Sequence, residues 1–240
     1  MKTELHPCFL LHTRPYRETS LLLDVLSAHY GRVNLVARGV KRGNNNLGLL
    51  LQPGRKLNIS WSSKGELGTM MSAEINGPGY KLSGTRLISC FYMNELLVRT
   101  LHRHESHPEL FQIYETSLSK INEGAPEDRV LRIFEKHLLS SLGYGLILDH
   151  EVDTGDKINA DATYYYQMDY GPVRQKPENF RNFPITGKTL VALDSEDNWN
   201  ADISREAKAL LRMILAAYTG DKPIASRALY KAYLQQSLPV

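Results

Sequence analysis

The stretch that decides the fold of the N-terminal region is Arg32-Val33-Asn34-Leu35-Val36-Ala37-Arg38. Polar and apolar residues alternate over its first half, as expected for a strand with one buried face. Because successive side chains point to opposite faces of a strand, we expect Arg32, Asn34 and Arg38 to point away from the core. The stretch therefore predicts a strand with a basic outer face.

Four further strand-like runs flank this stretch, at Phe9–Leu11, Ser20–Leu26, Lys56–Trp61 and Leu67–Ile75. Turn residues separate them, most clearly in the segment Gly43-Asn44-Asn45-Asn46. Five short strands within 75 residues, with no strong helical pattern between them, are typical of a small closed barrel.

The apolar residues change to a helical period after Gly77-Pro78-Gly79, so a domain boundary is expected there. Residues 146 to about 202 lose this period and contain the strand formers Thr163–Met168, which favours a small irregular or hairpin module. We predict a barrel over 1–79, a first helical part over 80–148, an inserted module over 149–202 and C-terminal helices over 203–240. Helices are expected around Leu87–Leu101, Leu110–Ile121 (after a capping box at Ser106-x-Pro108-Glu109), Val130–Leu142, Ser204–Tyr218 and from Ser226 onward.

The composition excludes several classes of protein. Hydrophobic residues make up 42% of the 240 residues and charged residues 23%, which argues against general disorder. The two cysteines, Cys8 and Cys90, cannot form a disulfide framework or a four-cysteine metal module. No apolar run is long enough for a signal peptide or a membrane span. We therefore expect a cytoplasmic protein that does not enter a membrane.

Positive charge is concentrated near the N-terminus. The whole chain has a net charge of +3, but residues 1–80 hold ten Lys and Arg against five Asp and Glu. No acidic residue occurs between Asp24 and Glu66. Such a window favours a surface that binds a polyanion, although a solvated basic face without a partner has the same composition. The predicted DNA-binding residues are Arg14, Arg32, Arg38, Lys41, Arg42, Arg55, Lys56 and Trp61.

Aromatic residues in a barrel of this size can stack on bases. Tyr16, Tyr30 and Trp61 are candidates. Each of them could equally belong to the core, and for Trp61, in an alternating strand, the two interpretations are balanced.

Motifs of catalysis and of metal binding are not found in the sequence. It contains no G-x-S-x-G, Walker A, H-E-x-x-H or G-x-G-x-x-G pattern. His102, His104 and His107 do not share one helical face, so a polar helix end is favoured over a metal site. The acidic residues of 149–156 do not match a calcium loop. No catalytic residue, metal or cofactor is predicted.

Ordered motifs run through most of the chain and are weakest over roughly 149–200. They are His12–Ser20, Gly31–Gly39, Leu51–Pro53, Lys64–Leu67, Ser72–Glu74, Tyr92–Leu97, His107–Phe111, Leu131–Glu135, Leu142–Gly145 and Lys222–Arg227. In this order they resemble the RecO family of recombination-repair proteins.

The resemblance implies a multidomain α+β fold, in which an OB-fold β-barrel precedes an all-α helical domain with a small irregular or β insertion. It implies a non-enzymatic bacterial protein, associated with the nucleoid, that binds single- and double-stranded DNA and anneals strands. In the RecFOR pathway such a protein acts with RecR to load RecA onto DNA coated by the single-stranded-DNA-binding protein, SSB. Some members hold zinc with four cysteines in the insertion, but residues 149–202 contain none.

Family members also bind the acidic C-terminal tail of SSB through the helical domain. Arg132 is the residue expected to pair with the peptide's carboxylate, and Leu131, Phe134 and Leu138 could form the floor of a groove. An ordinary surface arginine beside a plain core stripe would give the same pattern.

Three other functions are kept as alternatives. A hydrolase or nuclease would need a convergent cluster of carboxylates or histidines and a divalent metal. A protein adaptor would use its basic patch for acidic partners alone. A general OB-fold protein could bind single strands or act as an adaptor without a mediator role.

Overall fold

A computed structural model of the chain describes residues 2–40, 47–176 and 182–237. The chain forms two compact units. The first consists of Met1–Ala125 together with Lys222–Val240, and the second of Pro126–Asp221. The first unit therefore takes its residues from both ends of the chain. The domain boundaries drawn from sequence patterns remain predictions.

Five strands of the first unit close into a barrel. Around the barrel the order is β1-β2-β3-β5-β4, with β4 paired back to β1, and only the β3–β5 pair is parallel. This confirms the predicted barrel, and the strand order is consistent with an OB-fold. The strands are β1 (His6–Tyr16), β2 (Ser20–Ser27), β3 (Gly31–Ala37), β4 (Lys56–Ser63) and β5 (Leu67–Ile75).

The core of the barrel is formed by alternating residues of these strands, as the period-two pattern predicts. Leu23 and Val25 of β2 and Val33 and Leu35 of β3 have at most 1% of their surface exposed. The partly buried residues Leu47 and Leu50 of the short helix α1 (Leu47–Leu50) pack against this core.

The outer face of β3 differs from the prediction. Asn34 is buried, because its amide donates a hydrogen bond to the Asp24 carboxylate, which also accepts two from the guanidinium of Arg32. Arg32 donates another to the carbonyl of Leu101, in the loop that lies over the start of β3. The polar residues of this face therefore form a buried network.

A close approach of two backbones fixes this loop. Gly31 has a φ of +63°, and a Cβ atom built on it would lie 1.7 Å from the carbonyl oxygen of Glu105. His104 donates its backbone N–H to the carbonyl of Arg32. Glycine is required at position 31 both by the left-handed backbone and by the lack of space.

Three longer helices complete the first unit: α2 (Gly84–Thr100), α3 (Pro108–Glu123) and α7 (Ala225–Ser237). Asn94 of α2 donates a hydrogen bond to the carbonyl of Leu11 in β1, which ties the helix to the barrel. Helix α3 begins with Pro108, and its N-cap is His107 without a side-chain bond, so the predicted capping box is wrong. Proline suits this first position because its missing N–H would have no helical partner there.

Glu95 of α2 connects α2 to the start of α7. Its carboxylate accepts hydrogen bonds from the backbone N–H groups of Ala225 and Ser226 and from the Ser226 hydroxyl. It also pairs with Arg99, one turn along α2. These contacts satisfy donors at the α7 N-terminus that have no partner within the helix.

The second unit combines helices with a three-stranded sheet of order β7-β6-β8. This sheet confirms the predicted small insertion with strand character. One short helix of the unit was not predicted, since its nine residues give too few turns for a clear period. The elements are α4 (Glu127–Ser141), β6 (Thr163–Gln167), β7 (Gly171–Val173), β8 (Asn182–Thr186), α5 (Gly187–Ser195) and α6 (Ala201–Tyr218).

Across the described ranges, none of the helices combines the length and the apolar character that crossing a bilayer requires.

Candidate nucleic-acid interface

A cleft of about 870 Å³ opens at one end of the barrel. It lies between the β1–β2 turn, the end of β3 and the first residues of β5. In OB-folds, the β1–β2 and β4–β5 loops and the adjoining strand faces bind oligonucleotides. The lining residues are Tyr16, Arg17, Glu18, Thr19, Ser20, Val36, Arg38, Gly39, Leu67, Gly68 and Thr69.

Two arginines give this cleft its positive charge. Arg38 directly follows β3 and is exposed, and Arg17 is exposed in the β1–β2 turn. The carboxylate of Glu18 offsets part of their charge. Exposed guanidinium groups can contact phosphates without giving up an existing partner.

Arg17 owes its position to the turn. Its φ is +52°, a left-handed conformation that reverses the chain between β1 and β2. The guanidinium carbon lies 5.3 Å from the centre of the Tyr16 ring, so the cation covers the aromatic face. Tyr16, one of the three aromatic candidates, is therefore in the cleft with a cation beside it.

Arg17 is not among the residues predicted from the sequence, because it lies outside the acid-free window and next to Glu18. Arg17 and Glu18 lie in a turn between two predicted strands, and this position is the signal that could have identified Arg17. Such a turn is one of the loops with which OB-folds bind their ligands.

Some of the predicted DNA-binding residues remain available at the surface. Arg14 is exposed on β1, and Arg38 is exposed in the cleft. Arg55 is half-buried and donates a hydrogen bond of 2.9 Å to the carbonyl of Leu49, and it forms no salt bridge with a carboxylate of the described residues. Lys41 and Arg42 lie outside the described residues.

Two predicted cations are already paired within the first unit. Arg32 forms a salt bridge of 3.0 Å with Asp24, and only 14% of its side chain is exposed. Lys56 pairs with Glu115 of α3, and its ammonium lies 5.8 Å from the ring centres of both Phe9 and Phe111. Both side chains connect the barrel to the helical part of the unit, so a contact with DNA would compete with these existing partners, and their role as DNA contacts stays a prediction.

The structure also contradicts a stacking role for Trp61. Its side chain belongs to the barrel core and is 1% exposed. The ring centre of Tyr30 lies 5.2 Å from that of Trp61 in an edge-to-face arrangement. Because the indole is enclosed by core residues, no base can reach its face.

The predicted peptide-binding residues of α4 mostly face the interior of the second unit. Phe134 and Leu138 are fully buried. Arg132 is 5% exposed and pairs with Glu135, itself 1% exposed, at 2.7 Å. Leu131 is half-buried. Two of the three predicted floor residues, Phe134 and Leu138, therefore belong to the core, and the charge of Arg132 is compensated inside the unit.

No group of three or more histidine, cysteine, aspartate or glutamate side chains in the described ranges is arranged to hold a metal ion. Burial raises the pKa of the Cys8 thiol to about 12 against a smaller opposing effect of a hydrogen bond with Ser27. Burial likewise raises the pKa of Cys90 to about 12. Thiols with such pKa values stay protonated at neutral pH and are poor nucleophiles.

Two family models together match almost the whole chain. Residues 1–78 match the family model described as Recombination protein O N terminal, and residues 82–228 match Recombination protein O C terminal. The chain belongs to the RecO family. The first of these matches contains the whole cleft, since its lining residues lie between Tyr16 and Thr69.

Individual RecO relatives are similar over nearly their full length. A DNA repair protein RecO of Nitrosococcus oceani is 44% identical over 229 residues, which cover 95% of this chain and 93% of the relative. The DNA repair protein RecO of Nitrosospira multiformis is 39% identical over 236 residues, which cover 98% of this chain and 97% of the relative. Family membership supports a role in DNA repair, and it indicates no catalytic activity.

Proposed function

We propose that this chain is a non-enzymatic mediator of recombinational DNA repair that binds single- and double-stranded DNA and anneals complementary strands. With RecR it helps to load RecA onto single-stranded DNA coated by SSB. The observation that carries the proposal is the cleft at the end of the barrel, which is lined by the exposed Arg17 and Arg38 and by Tyr16.

The chemistry of this cleft suits a phosphate backbone. Arginines that neutralise phosphates release condensed counterions, which gives affinity for DNA of any sequence. Thr19 and Thr69 line the same cleft, and threonine hydroxyls can donate hydrogen bonds to phosphate oxygens. Contacts of this kind position a strand without reading its bases.

Annealing requires two negatively charged strands to approach each other. A basic surface that holds one strand lowers the repulsion against a second, and salt-sensitive contacts release the duplex. No covalent bond changes, so the proposal needs no catalytic group.

The protein partners in this proposal are the SSB tail, RecR and, indirectly, RecA. They rest on family membership. Of the side chains predicted to receive the tail, Leu131 alone is partly exposed. We therefore do not propose Arg132, Phe134 and Leu138 as the binding site of the SSB tail.

The test is single-stranded DNA binding measured over a salt series. The double variant Arg17→Gln/Arg38→Gln should bind more weakly, and the negative slope of log K against log salt should decrease in magnitude by about 1.4, about 0.7 for each lost phosphate contact. Lys208→Gln/Arg212→Gln is the matched control, because both residues are exposed on α6 of the second unit.

Equal slopes for the wild type and the Arg17/Arg38 variant would place the DNA surface elsewhere. Equal losses in the two double variants would indicate attraction by net charge alone. If the wild type showed no salt-dependent DNA binding, the adaptor alternative would be favoured. Annealing of complementary oligonucleotides by the same variants should fall in parallel with binding.

A further inference from the structure

A second cavity, of about 310 Å³, lies within the second unit. It is built by the loop after α4, the β6–β7 turn and the end of α6. The described residues that line it include four tyrosines and one carboxylate and no lysine or arginine. They are Gly143, Tyr144, Gly145, Leu146, Ile147, Tyr166, Asp169, Tyr170, Ile214 and Tyr218.

The aromatic walls of this cavity reach the surface. Tyr144 and Tyr218 are stacked, with ring centres 3.9 Å apart and ring planes 26° from parallel. Tyr144 is 46% exposed and Tyr170 is 50% exposed. Large aromatic side chains exposed around a concavity offer π faces to a ligand.

Two aspartates make the cavity electronegative. The Asp169 carboxylate accepts a hydrogen bond of 3.0 Å from the Tyr218 hydroxyl, and Asp153 accepts one of 3.1 Å from the Tyr170 hydroxyl. Burial, together with the Asp169 carboxylate, raises the pKa of Tyr218 to about 12. A neighbouring carboxylate disfavours the phenolate for the same reason that it favours a cation.

We propose that this cavity binds a single cationic side chain, lysine or arginine, from a basic segment of a protein partner. Aromatic faces beside a carboxylate are the arrangement that attracts such a cation. The second unit as a whole is also negatively charged, because Pro126–Asp221 holds 16 Asp and Glu against 11 Lys and Arg. This site is independent of the proposed DNA cleft, which belongs to the other unit.

A nucleobase is the competing occupant, since it could also stack on Tyr144 or Tyr170. The phosphates on either side of a base would then face Asp169 and Asp153, and the repulsion would oppose binding. Charge complementarity thus favours the basic peptide.

The experiment is an NMR titration of the full chain with ¹³C-labelled tyrosines. The probe is a Gly/Ser peptide with one central arginine, and the matched peptide has glutamine at that position. The arginine peptide should shift the ring signals of Tyr144, Tyr170 and Tyr218 in a saturable way. The glutamine peptide should shift them much less.

Asp169→Asn should weaken binding of the arginine peptide about threefold to fivefold. Asparagine tolerates the left-handed backbone of position 169, where φ is +61°, so this variant keeps the fold. The matched control Asp161→Asn removes the same charge from an exposed residue that does not line the cavity, and should leave the affinity unchanged.

Tyr144→Leu should also weaken binding, about twofold to fivefold, because the cation loses an aromatic face. Equal binding of the two peptides, or equal losses in Asp169→Asn and Asp161→Asn, would overturn the proposal. It would also be overturned if no saturable shift occurred, or if a short oligothymidylate shifted the same tyrosines more strongly and gained affinity in Asp169→Asn.

Discussion

The first unit, Met1–Ala125 with Lys222–Val240, holds 18 Lys and Arg against 10 Asp and Glu, whereas the second holds 11 against 16. Their net charges are therefore +8 and −5. Each unit has a cavity lined by tyrosine, but Arg17 and Arg38 line the one in the barrel, and Asp169 lines the other. The modest net charge of the whole chain therefore conceals two units of opposite charge, and we propose a polyanion-binding surface on the first and a cation-binding cavity in the second.

The two units also differ in how their buried polar groups are arranged. In the barrel, the Asp24 carboxylate is surrounded by donors from Arg32 and Asn34. In the second unit, the pair of Arg132 and Glu135 is more deeply buried, and the Nε atom of Arg132 has no hydrogen-bond partner among the described residues. A buried charge pair contributes little stability as a pair but is costly to break.

The largest effect is expected from Trp61→Ala, which removes the largest side chain of the barrel core. The cavity left behind should lower the free energy of unfolding by about 3–5 kcal/mol, measured by urea denaturation. Both cysteines belong to the first unit, so thiol labelling should accelerate in this variant.

Trp61→Phe is the matched control and should lose less stability, because an aromatic ring still fills part of the space. If Trp61→Ala instead kept its stability and lost affinity for single-stranded DNA, the stacking interpretation would be restored.

A comparable experiment in the second unit is Arg132→Ala. It removes the charge of Arg132 from beside the buried Glu135 carboxylate and should cost about 3 kcal/mol of unfolding free energy. Labelling of Cys8 and Cys90 should not accelerate, since both thiols lie in the other unit.

The double variant Arg132→Met/Glu135→Leu should recover most of this loss, because no buried charge remains. A variant Arg132→Ala that was as stable as the wild type but bound SSB tail peptide tenfold more weakly would favour the peptide contact expected from the sequence.

A smaller and pH-dependent effect is expected from Glu95→Gln in the first unit. Burial alone would raise the pKa of Glu95, but hydrogen bonds from Ser226 and Ala225 and the charge of Arg99 outweigh it and lower the pKa. The ionised carboxylate therefore contributes stability above its ordinary pKa, and this contribution is lost as the pH falls.

At neutral pH, Glu95→Gln should cost roughly 1 kcal/mol. Thermal denaturation should show the wild type and the variant converging below about pH 4. Glu74→Gln, at an exposed position of β5, is the control and should show no such convergence. A constant difference at all pH values would mean that the charge of Glu95 is irrelevant to the α7 cap.

The smallest effect is expected for the native thiols themselves. With pKa values of about 12, Cys8 and Cys90 should react with a thiol reagent at pH 8 only through opening of the first unit. Labelling rates should rise with added urea. Rapid labelling of one thiol without denaturant would show local opening around it.

Much of the fold follows from local patterns. Alternation in Arg32–Arg38 and Lys56–Trp61, together with the strand-like runs Phe9–Leu11, Ser20–Leu26 and Leu67–Ile75, predicts the five strands, because a buried face favours apolar residues at a regular spacing. The helical stripes predict α2, α3, α4, α6 and α7 for the same reason. Helix α5 was not predicted from the sequence, because it is short and is stabilised by tertiary contacts such as the hydrogen bond from the Thr189 hydroxyl to Glu206 of α6.

The candidate site was predicted only in part. The acid-free window led to Arg38, which the structure places in the cleft, but equally to Arg32 and Lys56, whose charges are compensated. Their partners, Asp24 and Glu115, are 8 and 59 residues away along the chain. Counting charges within a window does not reveal such pairs.

The sequence by itself determined the order of strands and helices, the basic character of the N-terminal region and the family motifs, because all three are properties of neighbouring residues. Tertiary structure decided which charges remain available. The barrel placed Arg17 and Arg38 in one cleft, Arg132 was turned inward against Glu135, and four tyrosines and Asp169 were brought together around one cavity. The physical reason is that solvation and pairing depend on distances in space, and folding sets these between residues that are distant in the chain.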